Sequence, residues 1–221
     1  TRIPDNAKLM QVRFIPKGNY YVMEVCYQIE VPDCFEESNR IASIDLGVEN
    51  FITMTNNIGE EPIVIKGGVI KSINQYYNKK KSKLQSELKK CNGKDWSKAL
   101  EKLTNKRYEM IKYQMHCISK YVVDYCVLHS IDTLVVGHNK DWKQENAGKQ
   151  NFTYIPYELF MNMLKYKCEN NGIKFIEVVE NYTSDTSFLD NEEPCQKNHH
   201  KQRRIYRGIF VRNNGVKINA D

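Results

Sequence analysis

The stretch Arg40-Ile41-Ala42-Ser43-Ile44-Asp45-Leu46-Gly47-Val48-Glu49-Asn50-Phe51 decides the fold of this chain. A run of apolar and small residues leads into Asp45, Gly47 permits a tight turn, and residues 51–55 are typical of a second strand. An Asp at the end of a buried strand costs free energy unless a positive charge lies against it. Two interpretations stay open at this point: Asp45 binds a divalent cation, or it simply begins a hairpin turn, where Asp is common.

Composition limits the class of protein. The 221 residues, 41% of them hydrophobic, suffice for one large domain or one domain with part of another. No apolar run is long enough to span a bilayer and no signal-peptide pattern opens the chain, so we predict no membrane partner. The seven cysteines form no Cys-x-x-Cys pair, which indicates free thiols in a reducing cytoplasm. The net charge of +6 suits a polyanion such as nucleic acid.

Hydrophobic periodicity predicts an α/β protein. Residues 11–15 and 20–31 are predicted to form a hairpin, followed by an acidic linker. The pattern then predicts three short strands over 41–45, 51–55 and 62–65, helices over 69–90 and 96–128, a strand over 131–137, a helix from Pro156, and strands over 174–180 and 206–212. Three antiparallel strands followed by helix-separated parallel strands is the RNase H-like order. A domain boundary is expected near residue 38.

Six segments resemble, in order, the TnpB family, the transposon-encoded RNA-guided DNA endonucleases of bacterial insertion sequences, akin to type V CRISPR effectors. The segments are 45–50, 66–68, 135–144, 172–174, 182–187 and 218–221. Tyr-Thr-Ser in the fifth and Asn-Ala-Asp in the last carry most of the specificity, and Trp142-Lys143-Gln144 indicates one branch of the family.

This resemblance implies a domain plan and partners. Residues 39–221 would form a RuvC-like (RNase H-like) mixed sheet flanked by helices, with a long helical insertion over 69–129. Residues 1–38 would be the C-terminal part of a β-barrel module. The implied partners are DNA and, in the full-length protein, a guide RNA, in the bacterial cytoplasm. Because the chain begins with Thr1 and not Met, we expect it to be a fragment.

The resemblance also implies a catalytic site of three carboxylates. RuvC-like nucleases use two Asp and one Glu to hold two divalent cations, for which Mg²⁺ or Mn²⁺ suits an all-oxygen ligand set. Asp45 matches the first Asp of the family and Asp221 the last. The alternative for Asp221 is a disordered terminal carboxylate, against which the Asn-Ala-Asp context argues.

The middle Glu of most relatives falls at Gly137, which cannot bind a metal ion. Either the site is inactive, or another carboxylate replaces the missing one. Glu180 is the predicted replacement, because it ends the neighbouring strand and the 135–144 segment resembles a branch in which the Glu has moved. Glu177 points to the opposite face, since side chains alternate along a strand. A solvated carboxylate at a strand end is the competing interpretation of Glu180.

The interval between the Tyr-Thr-Ser segment and Asp221 contains only Cys195, where typical relatives carry Cys-x-x-Cys pairs. We therefore expect no zinc ribbon. His199 and His200 are adjacent and flanked by basic residues, and we interpret them as loop histidines near phosphates, with metal binding as the alternative.

Two basic segments are predicted to contact nucleic acid. Arg203, Arg204 and Arg207 lie in a dense basic run with an interleaved tyrosine, which suits phosphate contacts and base stacking. Lys140, Trp142 and Lys143 follow a strand end, where an RNase H-like site opens. The alternatives are a basic surface loop without a partner and, for Trp142, a cap on the core. The lysines at 79–81 are interpreted as a solvated helix face, with nucleic-acid contact as the alternative.

The leading hypothesis is thus a fragment of an RNA-guided, metal-dependent DNA endonuclease. The alternative from another class is a nuclease-fold nucleic-acid-binding protein that is inactive because Gly137 replaces the Glu. A third possibility is an enzyme that itself cuts or joins transposon ends. Nothing in the sequence resembles the His-x-His motif of such transposases, so this possibility has no support.

Overall fold

A computed structural model of the protein describes residues 3–18, 20–31, 38–138, 154–180, 183, 186–193, 195, 203–206 and 209–219. The strands are β1 (Lys8–Lys17), β2 (Tyr20–Gln28), β3 (Ile41–Leu46), β4 (Asn50–Asn56), β5 (Ile63–Lys66), β6 (Thr133–His138), β7 (Lys174–Val179), β8 (Arg204–Tyr206), β9 (Ile209–Val211) and β10 (Lys217–Asn219). The helices are α1 (Gly68–Asn92), α2 (Lys98–Leu128) and α3 (Tyr157–Glu169).

The element order predicted for residues 41–180 is confirmed. Strand and helix ends shift by one or two residues, as is usual at element termini. The single strand predicted over 206–212 is wrong: the described residues there form two strands, β8 and β9, that pair antiparallel. Antiparallel pairing of two strands requires the chain to reverse direction between them, which one continuous strand cannot do. The third strand of this small sheet, β10, was not predicted.

A five-stranded mixed sheet in the order β5-β4-β3-β6-β7 positions the site. β3 pairs antiparallel with β4 and parallel with β6, and β6 pairs parallel with β7. The carboxyl ends of β3, β6 and β7 therefore meet at one edge of the sheet. This architecture confirms the predicted α/β fold class, and β3, which carries Asp45, lies at its centre.

One face of the sheet carries the hydrophobic core. Side chains that alternate along the strands, such as Ala42, Ile44 and Val136, are buried together with residues of all three helices. Phe51 and Phe160 meet edge to face, with ring centroids 4.9 Å apart, and join the sheet to α3. The opposite face exposes the other set of side chains, which includes Ser43 and Asp45.

A buried carboxylate fixes the start of β3 against the start of β6. Asp132 accepts hydrogen bonds from the backbone N–H and the hydroxyl of Ser38, at 2.8 and 2.7 Å, and from the backbone N–H of Arg40, at 3.2 Å. Burial alone would raise the pKa of Asp132, but hydrogen bonds from Thr133 and Ser38 outweigh it and lower the pKa below the usual Asp value. The register of the two central strands is thereby set at their N-terminal ends.

β1 and β2 form a separate two-stranded sheet. Large apolar side chains are exposed along it, including Phe14, Tyr21 and Met23. This hairpin coincides with the predicted N-terminal module, and the boundary near residue 38 stays a prediction. Within the described part of the chain, none of the helices combines the length and the apolar character needed to cross a membrane.

Candidate active site

Asp45 lies on the exposed face of the sheet, at the carboxyl end of β3. Its neighbours Ile44 and Leu46 point into the core, and the alternation of a strand turns Asp45 the other way. Ser43 pairs with Val135 and Ile44 with Val136. This parallel register continues to place Asp45 level with Gly137 on the adjacent strand.

Glu180 directly follows β7 and lies on the same face as Asp45. Gly137 pairs with Val178, so Val178 lies on the face of the sheet that carries Asp45. Glu180 lies two positions beyond Val178, and the alternation of the strand returns its side chain to that same face. Glu177 pairs with Val136, which belongs to the core face. The alternation that separates Glu180 from Glu177 is therefore present in the structure.

The Glu180 side chain reaches Asp45 by crossing β6 at Gly137. β3 and β7 flank β6, which puts their backbones about 10 Å apart at ordinary strand spacing. A Cβ added at Gly137 would lie only 2.6 Å from Cγ of Glu180, and closer still to its carboxyl group. A glycine at 137 is therefore what allows a carboxylate from β7 to approach the carboxylate on β3.

The two carboxyl groups are hydrogen-bonded to each other, which changes their protonation. Burial first, and then the charge of Asp45 and the hydrogen bond with it, raise the pKa of Glu180 to about 7. Below about pH 7 the pair thus shares a proton, which it loses as the pH rises through that value, because two carboxylates at such short range cannot both be ionised without cost.

Tyr157 is a site residue that the sequence analysis missed. Its hydroxyl donates a 2.9 Å hydrogen bond to the Gly47 carbonyl, and its ring stacks on Phe51 with centroids 6.1 Å apart. Burial, followed by the charge of Asp45, raises the pKa of the Tyr157 hydroxyl, so it remains protonated at neutral pH. Tyr157 therefore holds the turn that follows Asp45. Its place directly after Pro156 indicated a helix start but not this contact.

The 66–68 segment holds the same turn from the other side. The Gly67 N–H donates to the Glu49 carbonyl at 2.8 Å, and Lys66 Nζ donates to Asn50 Oδ1 at 2.7 Å. A Cβ at Gly67 would clash with the Val48 carbonyl. Close backbone approach thus explains why a glycine is required there.

Two of the three predicted metal-binding carboxylates are described, and the structure brings them together. Asp221 lies outside the described residues. Within the ranges that the structure describes, no group of three His, Cys, Asp or Glu side chains is placed to hold a metal ion. Among the residues that the structure describes, Asp45 and Glu180 supply two carboxylates at one edge of the sheet.

Of the predicted nucleic-acid contacts, Lys140, Trp142, Lys143 and Arg207 lie outside the described residues, as do His199 and His200. Arg204 begins β8. Arg203 has a structural role that the sequence analysis did not anticipate.

Arg203 joins the small sheet to the 3-10 turn Phe188–Asp190. Its guanidinium donates to Glu192 Oε1 at 2.6 Å, to Asp190 Oδ2 at 2.8 Å and to the Val211 carbonyl at 2.8 Å. The centre of the Phe210 ring lies 4.6 Å from the guanidinium carbon of Arg203. The Arg203 side chain is only 17% exposed and two carboxylates of the same chain balance its charge, so its contact with nucleic acid stays a prediction. The basic run gave no indication of this role because its acidic partners lie 11 to 13 residues earlier.

Sequence and structure comparisons place the chain among known proteins. The sheet order and the carboxylates at the ends of β3 and β7 define an RNase H-like fold of the RuvC type. The chain belongs to the OrfB_IS605 family, described as probable transposases, whose profile matches residues 24–143. The resemblance to TnpB is thereby confirmed. A second profile, the Cas12f1-like TNB domain, matches residues 157–221.

Individual relatives agree with the family match. The CRISPR-associated endodeoxyribonuclease Cas12f1 of Sulfoacidibacillus thermotolerans is 25% identical over 216 residues, which cover 93% of this chain and 49% of that protein. A cryo-EM structure of a Cas12f1–sgRNA–target DNA complex matches with a TM-score of 0.59 and 21% identity, over 95% of this chain and 52% of that one. A CRISPR-Cas12f ternary complex matches with a TM-score of 0.63 and 18% identity, over 95% and 43%. The chain spans about half the length of these relatives, and the structural likeness supports the fold.

The carboxyl pair predicts a pH-dependent stability in metal-free solution. Folding raises the pKa of Glu180 from about 4.5 to about 7, so the folded state binds more protons than the unfolded state in this window. The free energy of unfolding should fall as pH rises from 4.5 to 7 and should remain low above it. Glu180→Gln should remove this loss. Urea unfolding at pH 5 and pH 8 measures it, with Glu177→Gln as the control, and the same pH profile for wild type and Glu180→Gln would contradict the pairing.

The Arg203 cluster predicts a second pH effect of opposite sign. The nearby Ser187 hydroxyl, the Asn213 backbone N–H and the Arg203 and Arg212 guanidinium groups lower the pKa of Asp190 to about 2. This stabilisation is present above the usual Asp pKa and is lost as pH falls towards 2.

Arg203→Gln should therefore loosen the small sheet already at pH 7, and acid should loosen it in the wild type only below about pH 4. Hydrogen exchange of the β8–β10 amides measures both effects. Arg13→Gln, which removes an exposed ion pair with Glu24, is the matched control and should leave exchange unchanged. Unaltered β8–β10 exchange in Arg203→Gln would show that the cluster does not hold the sheet.

Proposed function

We propose that this chain is the nuclease part of an RNA-guided DNA endonuclease that hydrolyses DNA phosphodiesters in the bacterial cytoplasm. The observation that carries the proposal is the approach of Glu180 to Asp45 across Gly137. A missing middle Glu is thereby replaced from the neighbouring strand. The family match and the Cas12f1 relative, named an endodeoxyribonuclease, support the same reaction class.

The residues present fit a divalent cation. Two carboxylates lie in hydrogen-bond contact on the exposed face of the sheet, and a cation between them would relieve the repulsion that now requires a shared proton. Carboxylate oxygens are the ligands that Mg²⁺ and Mn²⁺ prefer. We propose that Asp45, Glu180 and Asp221 hold the ions. In such a site, a pair of cations supplies activation of the attacking water and stabilisation of the departing oxygen.

The remaining parts of the proposal follow the family. Residues 1–38 would belong to a β-barrel module and residues 39–221 to the RuvC-like domain. The DNA and guide-RNA partners are supported by the Cas12f1 complex with sgRNA and target DNA. Lys140, Trp142, Lys143, Arg204 and Arg207 remain the proposed contacts to nucleic acid. Tyr157 acts as a positioning residue, since it holds the turn after Asp45 through the Gly47 carbonyl.

One observation favours a second candidate, a nuclease-fold protein that binds nucleic acid without cutting it. Gly137 removes the carboxylate from the strand next to Asp45. If Glu180 did not serve as its replacement, two carboxylates would remain, and the cation pair would lose a ligand. The two candidates differ in whether the Glu180 carboxylate is needed for cleavage.

Glu180→Gln in the full-length protein with its guide RNA should reduce Mg²⁺-dependent DNA cleavage by at least ~100-fold, since loss of a ligand to a catalytic cation removes several kcal/mol of transition-state stabilisation. The amide keeps the size of the side chain but cannot carry the negative charge. Cleavage of a labelled target duplex measures the effect. Glu177→Gln, on the other face of the same strand, should cut like the wild type.

Undiminished cutting by Glu180→Gln would remove this residue from the site. Failure of both the wild type and the variant to cut, with guide RNA and target still bound, would favour the second candidate.

A further inference from the structure

The two long helices enclose an open groove that the carboxylate site does not use. It has a volume of about 420 Å³ and lies between α1 and α2. None of its lining residues is acidic. Its aromatic and cationic side chains are Tyr76, Tyr77, Lys106 and Arg107. We call this feature the α1–α2 groove.

Arg107 is the unusual residue of the groove. Its guanidinium carbon lies 3.8 Å from the centre of the Tyr77 ring and 4.9 Å from that of Tyr154. Its Nε is buried and has no hydrogen-bond partner among the described residues, and no described carboxylate forms an ion pair with it. A buried donor without a partner costs about 1–3 kcal/mol. Cation–π contacts with the Tyr77 and Tyr154 rings offset part of this cost, and the positive charge of the guanidinium stays without an acidic partner among the described residues.

The surroundings of Arg107 are basic and aromatic. The Tyr77 hydroxyl is fixed by a 3.1 Å hydrogen bond with the hydroxyl of Thr104, so the ring under the guanidinium is held in place. Lys81 Nζ lies 5.9 Å from the centre of the Tyr77 ring, and Lys80 Nζ lies 5.8 Å from that of Tyr76. Two of the three lysines at 79–81 thus lie over tyrosine rings of α1.

Tyr76 offers a stacking surface at the groove. Its side chain is 56% exposed, although it lines the same space as the Arg107 guanidinium. Positive charge beside an exposed aromatic ring is the combination by which proteins bind single strands, with phosphates on the cations and bases on the ring. A duplex does not fit this arrangement, because its bases are already stacked and paired.

We propose that the α1–α2 groove binds one nucleotide of a single-stranded nucleic acid, with its phosphate against Arg107 and Lys106 and its base on Tyr76. The site is separate from Asp45 and Glu180 and does not require cleavage. RNA and single-stranded DNA share this chemistry, and the test below distinguishes the two sources.

The test measures binding of labelled 12-nucleotide strands of DNA and RNA by fluorescence anisotropy, without divalent metal. The protein is the 221-residue chain carrying Asp45→Asn. Tyr76→Ala should weaken binding about tenfold, as expected for loss of one stacked base, and Tyr76→Phe should restore it. Arg107→Gln should weaken binding and reduce the slope of log K against log salt by about one. Lys90→Gln, at the other end of α1 and about 20 Å along the helix from Tyr77, is the control for charge alone.

An abasic strand separates stacking from a merely structural effect. On it, Tyr76→Ala should bind like the wild type, whereas Arg107→Gln should still bind more weakly. A larger loss on RNA assigns the site to a guide-type strand, and an equal or larger loss on DNA assigns it to a displaced DNA strand.

Wild-type affinity for both strands in Tyr76→Ala and Arg107→Gln would overturn the inference. An equal loss of affinity in Lys90→Gln would also overturn it. The same holds for a loss of affinity in Arg107→Gln that appears only together with a lower unfolding temperature. Because the cleavage site is already disabled in the tested chain, the binding result does not depend on cleavage. If the full-length protein with Asp45 intact bound its guide RNA and target but did not cut DNA, the proposed function would fail and this inference would stand.

Discussion

The arrangement of the candidate active site depends on one steric condition: residue 137 is a glycine and has no side chain. β6 separates Asp45 on β3 from Glu180 after β7, and a side chain at 137 would occupy the space through which Glu180 passes. A side chain on β6 at this position would therefore displace the Glu180 carboxyl group from its place beside Asp45. The glycine that first suggests a lost catalytic residue is, in this geometry, the condition for the replacement that we propose.

Much of the fold follows from the sequence because periodicity fixes which face of each element is buried. Alternation in β3 placed Asp45 opposite the core, and the separation of strands by long helices predicted their parallel pairing. The same reasoning distinguished Glu180 from Glu177, since a strand has only two faces. What it could not provide was the distance that the Glu180 side chain spans across β6, which depends on the twist and spacing of three strands.

Basic side chains show where sequence patterns reach their limit. Arg203 and Arg107 both lie in basic segments, yet Arg203 is held by two carboxylates of its own chain and Arg107 by tyrosine rings. Composition predicts that such residues face a polyanion, but their partners lie far away in sequence. The fold is needed to distinguish the two cases. Carboxylates of the same chain balance the charge of Arg203, whereas the buried Nε of Arg107 has no hydrogen-bond partner in the described structure.

The most direct test of the account is a carboxylate exchange between the two strands. Gly137→Glu alone would displace the flexible Glu180 side chain from its place beside Asp45, and Glu180→Ala alone would leave two carboxylates, so each single variant should reduce Mg²⁺-dependent DNA cleavage by the full-length protein with its guide RNA. The double variant restores a carboxylate beside Asp45 and removes the clash, and it should recover cleavage above both single variants. A double variant no more active than either single variant, or a Gly137→Glu variant as active as the wild type, would contradict the claim that positions 137 and 180 compete for one place beside Asp45.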